Sequence, residues 1–260
     1  MNVKKLFRFR LRSLLALMFV IAIPFGYYAW NAKHYTAIAT LLQEGSRIQW
    51  QREKPSWLDE QLGIYRFDAV KRVDMGWSSD LRALADLNSL EEFNSDHMYV
   101  EFSPLLGHAD SLKVFGMFDI PKEAAELLIE TRNLEECAGN TWAGFDLNWI
   151  AKNKNLKALY VTDVCGGLEH LASFTDLEYL QAPRELESLE AVRNMTKLKH
   201  LEFSGSKVRS LEPIKGLTSF KVIGFDDCPI PQDEIDAFLE SLPEGVSAYG
   251  SSYGAEQAND

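Results

Sequence analysis

Residues 198–219, LKHLEFSGSKVRSLEPIKGLTS, carry two hydrophobic rhythms in succession. Leu201 and Phe203 stand two apart, the spacing at which side chains of an extended strand share one face. Leu211, Ile214, Leu217 and then Phe220 step by three, which suits a tight helical or 3₁₀ turn. A strand with one face to bury, followed by so short a return, is too small to cover its own apolar side. It has to stack on copies of itself.

The copies are present. An apolar-x-x-apolar pair recurs as Leu90/Phe93, Leu112/Phe115, Leu134/Cys137, Leu156/Leu159, Leu177/Leu180, Leu198/Leu201 and Phe220/Ile223, at steps of 22, 22, 22, 21, 21 and 22 residues. The step of three recurs as Leu168, Leu171, Phe174, Leu177 and as Leu189, Val192, Met195, Leu198. Val70/Val73 with Leu81, Leu84 and Leu87 reads as a first unit, set 20 residues before Leu90 and irregular as terminal units often are. This period predicts an α/β leucine-rich repeat solenoid over 70–249, with parallel strands on the concave side and short helical or 3₁₀ returns on the other.

The units resemble the short, roughly 22-residue repeats of bacterial internalin-like proteins. In that family the ninth position is usually Asn, whose side chain bonds the turning backbone and forms a ladder along the solenoid. Here it reads Met98, Ile120, Trp142, Val164, Glu185, Ser206 and Cys228. Ser206 and Cys228 are the plausible substitutes, so the other turns are expected to be distorted or out of register. The whole order of segments also resembles a group of membrane-anchored bacterial leucine-rich repeat proteins, a resemblance that assigns no activity to any residue.

At the start, Lys4, Lys5, Arg8, Arg10 and Arg12 precede an uncharged stretch from Ser13 to Ala32. Its apolar part, Leu14 to Trp30, would span about 26 Å as a helix, against a hydrocarbon core of roughly 30 Å, and Ser13 and Asn31 extend it into the interface. A cleaved signal would need a shorter apolar region and small residues two apart, whereas Ala29 and Ala32 are three apart among Tyr27, Tyr28 and Trp30. The aromatics suit an interfacial belt, so residues 13–32 are expected to be an uncleaved transmembrane anchor. The one-sided bases then put residues 1–12 in the cytoplasm and the repeat domain outside it.

Residues 33–69 are expected to cap the first repeat. Tyr35, Ile38, Leu41 and Leu42 suggest one helical face ended by Gly45, Arg47–Trp50 a strand, and Ser56 with Asp59 a short helix over 57–62. At the far end, Pro231 and the acids Asp233 and Glu234 open an amphipathic helix through Ile235, Phe238, Leu239 and Leu242 that should cover the last unit. Residues 250–260 read as a disordered tail.

Setting aside the five bases of residues 1–32, the net charge of −11 leaves −16 on residues 33–260. Such a domain repels phosphate backbones, which counts against nucleic acid and favours neutral or basic partners. Hydrophobic residues at 46% suffice for a core. Three cysteines are too few for a disulfide framework, and Cys137 sits at an inward strand position as a core residue. No metal, nucleotide or nucleophile motif is present, so neither a cofactor nor an enzymatic role is expected. Asp119, Asp163 and Asp227 share a turn position but read as a solvated edge.

Function is therefore sought on the outward strand positions. There Phe118, Tyr160 and Tyr179 fall on nearby strands, with Gln181, His200 and Glu202 as their polar surround. Aromatic anchors in a polar rim suit contact with a protein or peptide of unknown identity. The alternative is a structural spacer or scaffold of the cell envelope without a dedicated ligand, in which the rings only cover neighbouring strands, and an unrecognised enzyme is a distant third. The second position alternates in sign, Glu91, Lys113, Glu135, Lys157, Glu178, Lys199, until Lys221 breaks the pattern, and it reads as register control rather than a site.

Overall fold

The structure is a computed structural model that describes residues 32–34, 36–50, 70–76, 80–87, 90–96, 101–140 and 145–250. The anchor expected over 13–32 lies outside these residues except for residue 32, as do Tyr35 of the expected cap helix, the helix expected over 57–62, the tail beyond residue 250, Met98 and Trp142. Among the described residues no helix is long and apolar enough to cross a membrane.

In chain order the strands are β1 (Arg47–Trp50), β2 (Val70–Asp74), β3 (Glu92–Ser95), β4 (Val114–Asp119), β5 (Glu136–Asn140), β6 (Phe145–Asp146), β7 (Ala158–Val161), β8 (Val164–Gly166), β9 (Tyr179–Gln181), β10 (His200–Glu202), β11 (Val222–Gly224) and β12 (Ser247–Tyr249). They form a 10-stranded sheet in the order β1-β2-β3-β4-β5-β7-β9-β10-β11-β12, while β6 and β8 pair separately. Every neighbour pair in the large sheet is parallel except β1 with β2.

The register follows the repeat. Val73, Phe93, Phe115, Cys137, Leu159, Leu180, Leu201, Ile223 and Ala248 lie side by side as Cα partners. All but Ala248 are buried, and Phe93 stacks on Phe115 with ring centroids 5.7 Å apart. Because side chains alternate across a strand, one face of the sheet is committed to the core and the other stays open.

The returns are mostly 3₁₀: Arg82–Asp86, Ser103–His108, Leu147–Ile150, Leu168–Ser173, Leu189–Val192 and Glu212–Ile214. Leu84, Leu105, Leu147, Leu171, Val192 and Ile214 from these turns are fully buried against the strand residues. With α1 the helix over 36–43, α2 (Ala125–Glu130) and α3 (Gln232–Ser241) take the place of the 3₁₀ turn in two units.

Polar groups stitch unit to unit on this side. Asn153 is fully buried; its Oδ1 accepts from Leu134 N at 2.9 Å, and its Nδ2 donates to Thr131 Oγ1 at 3.0 Å and to Ile150 O at 3.3 Å. Ser111 Oγ donates to Leu90 O at 2.7 Å, and Ser219 Oγ to Thr196 O at 2.7 Å. His108 is buried with Nε2 2.8 Å from Leu84 O, and burial holds its imidazole below the usual pKa.

The ninth position is handled residue by residue. Ser206 Oγ and Cys228 Sγ meet at 3.5 Å, so these two do form a rung. Glu185, not expected to substitute for Asn, reaches back so that its Oε2 accepts from Val164 N at 2.9 Å. Ile120 and Val164 are buried instead, closing their turns with apolar surface. A register shift between Gly116 and Asp119 on β4 and the extra β6–β8 pair mark the irregular middle of the stack.

Both ends require a correction. On α1 the buried stripe is Ala37, Ile38 and Leu41, continued by His34, whereas Leu42 is 54% exposed. At 100° per residue Leu42 lies about a quarter-turn from the centre of that stripe. At the other end α3 does not close the solenoid. Its Ile235 and Phe238 are buried, but β12 follows and pairs with β11, so α3 is the return of one further unit.

Candidate binding face

The open face is a grid whose rows run across the strands. One row is Arg72, Glu92, Val114, Glu136, Ala158, Tyr179, His200, Val222; the next is Asp74, Asn94, Gly116, Ala138, Tyr160, Gln181, Glu202, Gly224, Tyr249. The residues expected on this face separate into three groups on it.

Phe118, at the turn end of β4, is 59% exposed. Tyr160 is half-buried and has Gln181 as its Cα partner on the next strand. Burial raises the Tyr160 phenol's pKa, with smaller contributions from Glu136 and Tyr179. These side chains, with Asn94, Ser95, Asp96, Gly116, Ala138 and Gly139, line a depression of about 320 Å³.

Tyr179 and His200 form the second group, stacked on each other with ring centroids 4.6 Å apart and an interplanar angle of 21°. Glu202 stands apart, drawn toward the C-terminal end. Its Oε1 accepts from Ser204 N at 3.0 Å, and its carboxylate accepts from the Tyr249 hydroxyl across β11. That hydrogen bond, with burial second, pushes the Tyr249 phenol up to about 12. The contact crosses Gly224, where a Cβ would fall 1.9 Å from Glu202 Oε2.

Gly116, Ala138, Asn94 and Asp96 were not singled out by sequence, yet they shape the depression. The signal was a pair of small residues, Gly116 and Ala138, between Asn94 and Tyr160 at equivalent repeat positions. The repeat marks these as neighbours, but small residues in a row do not by themselves announce a recess. Asn94 lies across Gly116, with Oδ1 2.3 Å from where a Cβ would stand, and its Nδ2 is covered without a hydrogen-bond acceptor.

Toward β1 the groove continues into a second depression of about 560 Å³ that shares Asn94, Ser95 and Asp96 and adds Gly45, Arg47, Arg72, Asp74, Met75 and Gly76. Arg72 donates to Asp74 at 2.8 Å and lies 3.6 Å from Glu92, which also pairs with Lys71 at 3.0 Å.

The charged second position behaves as a structural seam. Lys113 reaches Glu91 at 2.9 Å, Lys157 reaches Glu135 at 2.5 Å and Lys199 pairs with Glu178, each lysine pointing back to the preceding unit. These side chains remain partly solvated, 20–55% exposed, so each pair contributes only about 0–1 kcal/mol. Among the described residues no group of three or more His, Cys, Asp and Glu side chains is placed to hold a metal ion. Burial drives the Cys137 thiol up to about 12. Cys228 is also buried and donates to Phe203 O at 3.2 Å, while Cys165 is exposed.

By sequence the chain matches no family model and no curated protein. Its structure is similar to an internalin, InlF, of Listeria monocytogenes, at 16% identity and a TM-score of 0.54 over 68% of this chain and 54% of that one. It is also similar to a leucine-rich repeat protein of Leptospira interrogans at 16% identity, with a TM-score of 0.41 over 65% of this chain and 45% of that one. The chain thus spans about half the length of each. At such identity the likeness establishes the fold alone: an α/β leucine-rich repeat solenoid of the kind found in bacterial proteins.

Proposed function

We propose that this chain is a membrane-anchored leucine-rich repeat protein whose concave sheet face binds another protein or a peptide. The observation that carries the reading is the depression over Gly116 and Ala138, flanked by exposed Phe118 and half-buried Tyr160. A recess beside aromatic side chains, with polar groups around it, is how contact surfaces concentrate binding energy. The acidic balance of residues 33–260 argues against nucleic acid as the partner. The role is one of binding and needs no cofactor.

The test is affinity capture by the full chain in detergent, repeated with Tyr160→Ala. Capture should weaken while the thermal midpoint stays nearly constant, because a half-exposed ring contributes little to folding. A midpoint that falls in step with capture would identify Tyr160 as a packing residue. The spacer reading draws its support from Tyr179 on His200 and Glu202 on Tyr249, side chains engaged within the face itself.

Anchoring by residues 13–32, with the N-terminus cytoplasmic and the repeats outside, rests on the apolar run and its one-sided bases. The protein should stay with membranes after carbonate washing. A soluble species beginning near residue 30 would contradict it.

A further inference from the structure

The depression has a floor of Gly116 and Ala138, which are Cα partners on β4 and β5. Neighbouring strands lie about 4.8 Å apart and residues two apart on a strand about 6.7 Å, so the rim stands one side chain's length away. Asn94 and Tyr160 bound it along the row, and Phe118 and Asp96 on the turn side; just outside it, Glu136 stands two residues before Ala138 on β5 and so faces the same way. The depression's volume of about 320 Å³ falls in the range of small binding clefts, about 300–1,000 Å³.

Asp96 is the charged residue of the lining, while Arg47 and Arg72 line the adjoining depression. From β3 to β9 the outward row positions hold no base, and carboxylates stand at Glu92, Asp96 and Glu136. Glu92 is neutralised by Lys71 and Arg72, and Arg72 is further engaged by Asp74. Glu136 has no ion pair among the described residues; its field is felt at the Tyr160 phenol and, as the smallest of several causes, at the Arg72 guanidinium. The lysines of the neighbouring seam, Lys113 and Lys157, are engaged with Glu91 and Glu135.

Aromatic faces beside carboxylates, with no base among them, complement a cation and repel an acid. Of the two permanent side-chain cations, the flat guanidinium can stack on a ring and fork onto a carboxylate at once, which an ammonium cannot. Resting on the reading of this face as a binding surface, we propose that the Gly116–Ala138 depression receives an arginine side chain from an extended segment of the partner, with Phe118 and Tyr160 against its plane and Glu136 and Asp96 as its counter-charges.

The test uses the full chain in detergent and three peptides, acetyl-Gly-Gly-Arg-Gly-Gly-amide and its citrulline and lysine counterparts, titrated by calorimetry. Citrulline keeps the shape of arginine without its charge. The arginine peptide should bind at least tenfold more tightly than the citrulline peptide, with the lysine peptide between them. Glu136→Gln should abolish most of that preference, and Ala138→Leu, which fills the recess, should weaken all three; both positions face outward, and unchanged thermal midpoints verify the fold. Equal affinity for arginine and citrulline, no binding of the arginine peptide, or a preference that survives Glu136→Gln would each overturn the assignment. If partner capture were still lost in Tyr160→Ala, the binding face would stand and the arginine would fall; if capture were insensitive to it as well, both would fall.

Discussion

Asn153 shows how much one polar side chain can decide. It is fully buried, yet each end of its amide is engaged: the oxygen by Leu134 N, the nitrogen by Thr131 and Ile150. The Thr131 hydroxyl in turn donates to Leu128 O at 2.7 Å, so the network is closed and spans two units. Replacing Asn153 by Ala strands the buried Leu134 N–H, which costs about 1–3 kcal/mol. The urea midpoint of Asn153→Ala should fall accordingly, and an unchanged midpoint would mean that the bond contributes nothing net. Nothing in the sequence distinguishes Asn153 from Asn155 two residues on, which is exposed. Only the turn geometry puts one inside and one out.

At the scale of the element, strand positions were readable because each inward residue recurs at a fixed step and is apolar in nearly every unit. Leu177, fully buried, sits at the junction of return and strand, where truncation leaves a cavity between adjoining units. Leu177→Ala should cost roughly 2–5 kcal/mol in chemical denaturation, and a wild-type midpoint would mean that the stack closes around the gap. Legibility fails where the inward set thins. In β12 the inward residue is Ala248 alone, between Ser247 and Tyr249, too weak a pattern to signal a strand, and so α3 looked like the end of the molecule. The turns were harder still, because Glu185 does by length what Asn does by position. The candidate binding face was half legible. Its aromatic residues stand out by type, but the recess is made by what Gly116 and Ala138 lack, and absence of a side chain carries no periodic signal.

For the whole molecule, the solenoid is a line of units in which each touches the next, so its stability is close to a sum of local and nearest-neighbour terms. The Tyr249 hydroxyl on the Glu202 carboxylate is different in kind, because it joins β12 to β10 over the top of β11 through the space that Gly224 leaves vacant. A line with only adjacent couplings frays one unit at a time from its end, and a tie that skips a unit makes the last two peel together. The amides of β11 and β12 should therefore exchange with solvent deuterium at a common opening free energy, while in Tyr249→Phe the β12 amides open first. Separate opening in the unaltered protein would sink the idea. With a common opening, the end of the stack built from the weakest strand owes its persistence to cooperativity rather than to burial.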